Sequence, residues 1–249
     1  MASEQNYKPS HLAGRVAVVT GASSGVGRAI ALALSRQGVQ LCLIGRSPIT
    51  LSETVAACRQ FSKVTSFEID LTVEESLKPL FLHLEREAGR LDILVHSAGA
   101  IHQAPMESAR VEDFDIQYAT NVRAPYVLTQ RLLPLLTTAR GQIVFINSSV
   151  GLVARRPEVG QYSATKHALK AIADSLREEV NPKGIRVLTV YLGRTATPMQ
   201  EALYRQEGRV FHPEALLQPE DVASVIVQTL DLPSTAEVTD ISIRPMLKA

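Results

Sequence analysis

Cysteine is scarce: Cys42 and Cys58 are the only two in 249 residues. They cannot make a disulfide framework, and both sit in apolar or helical patterns as buried small hydrophobes do. Charge of one sign is lacking as well. The 26 Lys and Arg nearly balance 25 Asp and Glu, for a formal net charge of +1, so no strong field recruits nucleic acid or an acidic membrane. No run approaches the roughly 18 apolar residues of a membrane span. The opening MASEQNYKPSHLAG lacks the apolar core of a signal peptide, which leads us to expect a cytoplasmic protein. Internal repeats, low-complexity tracts and linkers are absent too. His96 has no companion ligand, so no metal centre is expected.

What the chain does have is alternation. Apolar runs at residues 15–20, 39–45, 63–70, 91–96, 142–147, 185–191 and 238–243 read as strands. Between them lie helical patterns at 25–37, 47–59, 73–88, 107–138, 161–180 and 219–231, with Ser47 and Pro48 as a capped start and Pro134 expected to kink or end its helix. Strand cores apolar on both faces, separated by helices, predict an α/β doubly wound parallel sheet of about seven strands, Rossmann-like, with helices on both faces. The expected organisation is a flexible arm over 1–12 and one domain over 13–249, whose segment 194–217 is irregular to helical. Hydrophobic content of 45% suits such a core.

Several motifs carry chemistry. Thr20-Gly21-Ala22-Ser23-Ser24-Gly25-Val26-Gly27 joins the first strand to its helix, where glycines let backbone approach a pyrophosphate and the helix start supplies N–H donors. Its spacing is G-x-x-x-G-x-G, and no Gly-Lys-Ser/Thr follows, which disfavours a P-loop. Arg46 closes the second strand where an acid would favour NAD and an arginine a 2′-phosphate, so NADP(H) is favoured over NAD(H). Asp70 can meet adenine or cap the next helix. His96-Ser97-Ala98-Gly99 ends the fourth strand in small residues, with His96 expected to be a hydrogen-bonded structural histidine. Asn121 either bonds locally and bends its helix or serves a proton path. Tyr162 and Lys166, four apart, share a helix face. A nearby ammonium is expected to pull the phenol down from about 10 towards working pH, making it a usable proton donor and acceptor. Ser149, at the end of the fifth strand, can hold the substrate oxygen beside it.

This ordered set, TGASSGVG at 20–27, Asp70-Leu71, HSAG at 96–99, Asn121, Ser149 and YSATK at 162–166, resembles the short-chain dehydrogenase/reductase family in its single-domain branch. The similarity runs from about Ala13 to Lys248. It implies Tyr162 as general acid/base, Lys166 as the residue lowering its pKa and bonding the nicotinamide ribose, Ser149 as substrate anchor, and Asn121 as holder of a relay water. It further implies Gly21, Ser23, Ser24, Gly25, Val26 and Gly27 at the pyrophosphate, Arg46 at the 2′-phosphate, and Asp70 and Leu71 at adenine. Ser97, Ala98 and Gly99 would line the cofactor, with Gly193, Thr195 and Thr197 near the nicotinamide. Two departures stand out: His96-Ser97 replaces the family's Asn-Asn, and Leu192 replaces the proline before Gly193.

The implied reaction interconverts a small-molecule carbonyl and an alcohol with NADP(H). Rivals are a catalytically idle dinucleotide sensor or scaffold, since fold does not fix function, and a dehydratase or epimerase, for which the region past strand six is short. The substrate pocket is expected along 150–160 and 194–217. There Arg155, Arg156, Arg205 and Arg209 either hold an acidic substrate or are solvated loop charges. The resemblance also implies a homodimer or homotetramer paired through the helices at 107–138 and 161–180 and the last strand.

Overall fold

The computed structural model describes residues 11–246. Seven strands, β1 (Val16–Thr20), β2 (Gln40–Gly45), β3 (Val64–Glu68), β4 (Ile93–His96), β5 (Gln142–Ser148), β6 (Arg186–Leu192) and β7 (Asp240–Ile243), form one sheet ordered β3-β2-β1-β4-β5-β6-β7. Every pairing is parallel. The expected doubly wound sheet is therefore present. Eight helices connect and cover it: α1 (Gly25–Arg36), α2 (Pro48–Cys58), α3 (Lys78–His83), α4 (Val111–Tyr118), α5 (Ala124–Ala139), α6 (Gly160–Val180), α7 (Pro198–Gln206) and α8 (Pro219–Leu230).

The period of two along each strand divides the core. Ala17, Val19, Leu41, Leu43, Ile93 and Val95 face one side, where α1 and α8 supply Ile30, Leu34, Val222 and Ile226. Val18, Cys42, Ile44, Leu94, Ile143 and Phe145 face the other, under Leu80 of α3, Leu128, Leu132 and Leu136 of α5, and Leu169 and Ala173 of α6. Both cysteines are free and buried, as expected, and burial pushes the Cys42 thiol up to about 12. Each fully buried leucine contributes about 1.5–3 kcal/mol relative to exposure.

Some boundaries differ from the sequence reading. Residues 73–88 are a 3₁₀ turn (Glu74–Leu77), then α3, then a π-helical turn (Leu84–Ala88) closed by left-handed Gly89 at φ 63°. α4 starts at Val111, not at 107. Pro134 does not end α5, which runs on to Ala139. The missing amide costs one internal bond, to the Gln130 carbonyl; in the following turn Thr138 Oγ1 donates to the Pro134 carbonyl at 3.1 Å. Ser47 caps α2 by accepting from the Thr50 amide, with Pro48 in the first turn, as read from sequence. The arm expected over 1–12 falls, through residue 10, outside the described residues, whereas Leu12 is fully buried in the α1 and α8 layer.

Strands leave β1 in opposite directions, to β2 and β3 on one side and to β4 on the other. Loops at the carboxyl ends of β1 and β4 thus diverge and open a crevice, the usual ligand position of such sheets.

Candidate active site

That crevice is a cleft of about 460 Å³. Of the site residues read from sequence, all but Asn121 line it. At one end sits the glycine turn. Gly21 has φ 66° and a Cβ there would stand 2.8 Å from the Ala98 backbone; one on Gly27 would stand 2.3 Å from the Gly21 carbonyl oxygen. Thr20 Oγ1 locks this packing by accepting from the amides of Ser97 (3.0 Å) and Ala98 (3.2 Å). Ser24, at the N-cap of α1, makes no side-chain cap bond, and the first turn of α1 carries no acid. The helix start is left with free amides and a positive dipole end. Ser23 Oγ is buried there without a protein partner. Narrow backbone, open amides and an orphaned hydroxyl fit the diphosphate of a dinucleotide.

Arg46 is exposed at the end of β2 and lines the same cleft, beside Asp70. The Asp70 carboxylate accepts from Thr72 N (2.9 Å) and Thr72 Oγ1 (2.7 Å), which hold it below the usual carboxylate range with help from Arg46. Asp70 does not cap the next helix, whose N-cap is Val73; its carboxylate closes a turn on Thr72 instead.

At the other end, α6 presents Tyr162 and Lys166 to the cleft. Lys166 is buried, lies 5.7 Å from the Tyr162 ring centre, and donates from Nζ to the Ile146 carbonyl at 3.1 Å. The expectation that the lysine depresses the phenol is not met. Burial pushes Tyr162 up to about 12, against which a hydrogen bond with Ser148 works, and burial pulls Lys166 down to about 8. Desolvation disfavours both charged forms. The site as built therefore holds a protonated phenol.

Ser148, which sequence spacing does not single out, lines the cleft with Tyr162 and works against the rise in its pKa. β5 extends through Ser148, and a 3₁₀ turn begins at Ser149, which lines the cleft but is exposed. Gly151 packs its backbone against Lys166, a Cβ there falling 2.9 Å from the Lys166 carbonyl oxygen. That contact fixes the β5–α6 register one residue from where spacing alone puts it.

Asn121 stands behind this wall, 1% exposed, in a π-helical turn over Ala119–Arg123. Its Oδ1 accepts from the Ala100 amide at 2.8 Å, and its Nδ2 donates to the Ala100 carbonyl at 2.8 Å and to Thr165 Oγ1 at 3.0 Å. It clamps the loop after β4 to the helix carrying Tyr162. Of the two roles open to it, backbone bonding within an irregular helix is the one observed.

His96 is fully enclosed, stacked on Phe145 (4.9 Å between ring centroids), with Nε2 2.8 Å from Thr129 Oγ1. Burial lowers it to about 3. It is a neutral structural histidine, as expected, and this contact with α5 takes the place of an asparagine side chain. Thr195 is buried and donates to the Gly193 carbonyl at 3.0 Å; Thr197 caps α7 by accepting from the Gln200 amide. Among the described residues there is no cluster of potential metal ligands and no helix long and apolar enough to cross a membrane.

Fold and cleft together define a nucleotide-binding α/β oxidoreductase built for a nicotinamide dinucleotide. The pattern of the short chain dehydrogenase family matches residues 15–208. An oxidoreductase of Staphylococcus epidermidis is 34% identical over 233 residues, 93% of this chain and 97% of its own length. An alcohol dehydrogenase of the archaeon Thermococcus sibiricus, solved with 5-hydroxy-NADP, superposes with TM-score 0.82 at 26% identity, covering 94% of this chain and 98% of its own. A short chain dehydrogenase of Shigella flexneri, solved with NADP, gives 0.84 at 28% identity over 94% and 99%. The chain belongs to the short-chain dehydrogenase/reductase family, whose members act on small molecules and often associate into oligomers.

Proposed function

We propose that this protein is an NADP(H)-dependent oxidoreductase interconverting a ketone or aldehyde and an alcohol, with Tyr162 as general acid/base. The observation carrying the reading is the grouping of Tyr162, Ser148 and Lys166 on the wall of one cleft whose other end is a diphosphate cradle. The dinucleotide supplies hydride to the carbonyl carbon. Everything else falls to the protein. Gly21, Ser23 to Gly27 and the start of α1 would hold the diphosphate, and Arg46, which lines the same cleft, would take a 2′-phosphate, which supports NADP(H) over NAD(H). Ser97, Ala98, Gly99, Gly193, Thr195 and Thr197 line the path towards the nicotinamide.

A substrate oxygen bonded by Ser148 and Tyr162 is polarised, and a phenol held near 12 is fully protonated at neutral pH, ready to donate as charge develops on that oxygen. Lys166, lowered to about 8, exchanges its proton near physiological pH and can restore the phenol's. Asn121 positions the Tyr162 helix through Thr165. A homodimer or homotetramer paired through α4, α5 and α6 and the last strand is part of the reading, and light scattering counts its subunits.

The test is NADPH consumption against a panel of aldehydes, ketones and diketones. Turnover of at least one carbonyl is expected. Tight NADPH binding without turnover of any would place the chain with the idle sensors instead.

A further inference from the structure

Beyond Tyr162 the cleft is walled by charge. Arg156, Arg194 and Glu207 all line it, with Leu203 between them. Glu207 is ion-paired to Arg209 (3.1 Å), Arg156 (3.3 Å) and Arg194 (3.4 Å). Burial works against its ionisation, but the three guanidinium groups together hold its carboxyl below the usual range. Three positive charges thus face one negative. Among the described residues the acids lining the cleft are Asp70 and Glu207, and Asp70 lies at the far end beside Arg46. Of the three arginines only Arg156 and Arg194 line the cleft, so at the substrate end guanidinium groups outnumber carboxylates by one.

One of these arginines is not a solvated loop charge. Arg194 follows β6 directly, and its side chain is only 22% exposed. Its guanidinium packs 4.9 Å from the centre of the Tyr204 ring, whose surroundings also include Arg209 at 4.6 Å and the edge of Phe211 at 5.6 Å. Its base is fixed by backbone bonds from Leu217 N to the Arg194 carbonyl (3.1 Å) and from Ala196 N to the Leu217 carbonyl (2.8 Å). Nη2 reaches Glu207 only at 3.4 and 3.5 Å, and Nη1 is buried with no partner. A buried donor left without a partner is costly, and the exposed part of the same guanidinium side chain lines the cleft. A planar fork held by aromatic stacking suits a bidentate anion such as carboxylate.

We propose that Arg194, supported by Arg156, anchors a carboxylate on the carbonyl substrate, so that the preferred substrates are oxo acids rather than neutral ketones. This rests on the carbonyl reading above. Arg155 and Arg205 have no part: neither lines the cleft, and Arg205 pairs with Glu201 on the exposed side of α7 at 3.6 Å. Arg209 acts only through Glu207 and Tyr204.

The same guanidinium could answer to an anion of the dinucleotide, and the experiment separates the two. Enzyme loaded with NADP⁺, which cannot reduce a carbonyl, is titrated calorimetrically with 3-oxobutanoate, 4-oxopentanoate and 5-oxohexanoate, and with the methyl ester of each. At least one acid is expected to bind about tenfold or more tighter than its ester, the range of a charge-assisted hydrogen-bond pair. Arg194→Met should erase that gap, Arg194→Lys should restore part of it, and NADP⁺ affinity should stay within about twofold, since the guanidinium lies outside the diphosphate cradle. Acids that bind no better than their esters, or not at all, overturn the proposal. So does an Arg194→Met variant that loses NADP⁺ affinity while keeping the acid preference, which would give the arginine to the dinucleotide. NADPH consumption with the same compounds keeps the two readings apart. Esters reduced as well as acids sink only the carboxylate anchor, whereas acids that bind preferentially but are never reduced sink only the carbonyl chemistry.

Discussion

Two adjacent hydroxyls at the end of β5 take different surroundings, and under the proposed function Ser148 is the one that bonds the substrate oxygen. Ser148 meets the Tyr162 phenol, while Ser149 opens a 3₁₀ turn and is exposed. Ser148→Ala is expected to lower kcat for carbonyl reduction by about 10²-fold or more, as loss of a group bonding the developing oxyanion does, whereas Ser149→Ala stays within about threefold. Steady-state kinetics of the two variants side by side check this, and an equal loss in both would remove the distinction. His96 offers a prediction about stability instead. Its folded pKa is lowered by burial to about 3. The unfolded chain therefore takes up a proton below about 6.5 that the folded chain refuses. The contribution is fully present above that pH and is lost as pH falls towards the folded value, at about 1.4 kcal/mol per unit. Urea titrations between pH 7 and 4.5 should show wild type weakening more steeply than His96→Asn, by roughly that slope. Parallel pH profiles would mean the ring is protonated within the fold.

Elements were more legible than their irregularities. The strands, the glycine turn and the α6 face carrying Tyr162 and Lys166 follow from apolar period and spacing, which local chemistry dictates. What spacing does not carry is the way tertiary contacts bend helices. The π-helical turn at Asn121 is where its side chain bonds Ala100 and Thr165, contacts far along the chain. Pro134 is tolerated inside α5 because the helix is packed through Leu128, Leu132 and Leu136. The Ser148 register escaped for the same reason, since the Gly151 contact with Lys166 joins residues distant along the chain. The sign of the Tyr162 shift escaped because burial cannot be read from a pair of residues four apart. Arg194 was passed over because nothing local marks it; only Tyr204 and Glu207, folded back from α7 and the residue after it, reveal it. At the end of α5, Arg140 holds a left-handed conformation (φ 47°) that favours glycine. Arg140→Gly should stabilise the protein by about 0.5–1 kcal/mol, relief of strain being partly offset by a floppier unfolded chain. A shift of the urea midpoint to lower concentration would contradict it.

At the scale of the whole molecule, one sheet brings an anion cradle and a proton donor to opposite ends of a single cleft. Selectivity and turnover should then separate cleanly between the ends. Arg46→Asp is expected to lower NADPH affinity by about tenfold or more and to raise the preference for NADH, because a carboxylate repels a 2′-phosphate and suits a ribose hydroxyl. Fluorescence titration of both cofactors measures it; an unchanged ratio would mean that the arginine only touches solvent. The central claim concerns the other end, and Tyr162→Phe tests it most directly, because the change removes one oxygen and leaves the ring in place. We expect carbonyl reduction to fall by about 10²–10⁴-fold, with NADPH affinity, titrated in the same preparation, within about threefold of wild type. Turnover at the wild-type rate in that variant, on a carbonyl the wild type reduces, would contradict the account.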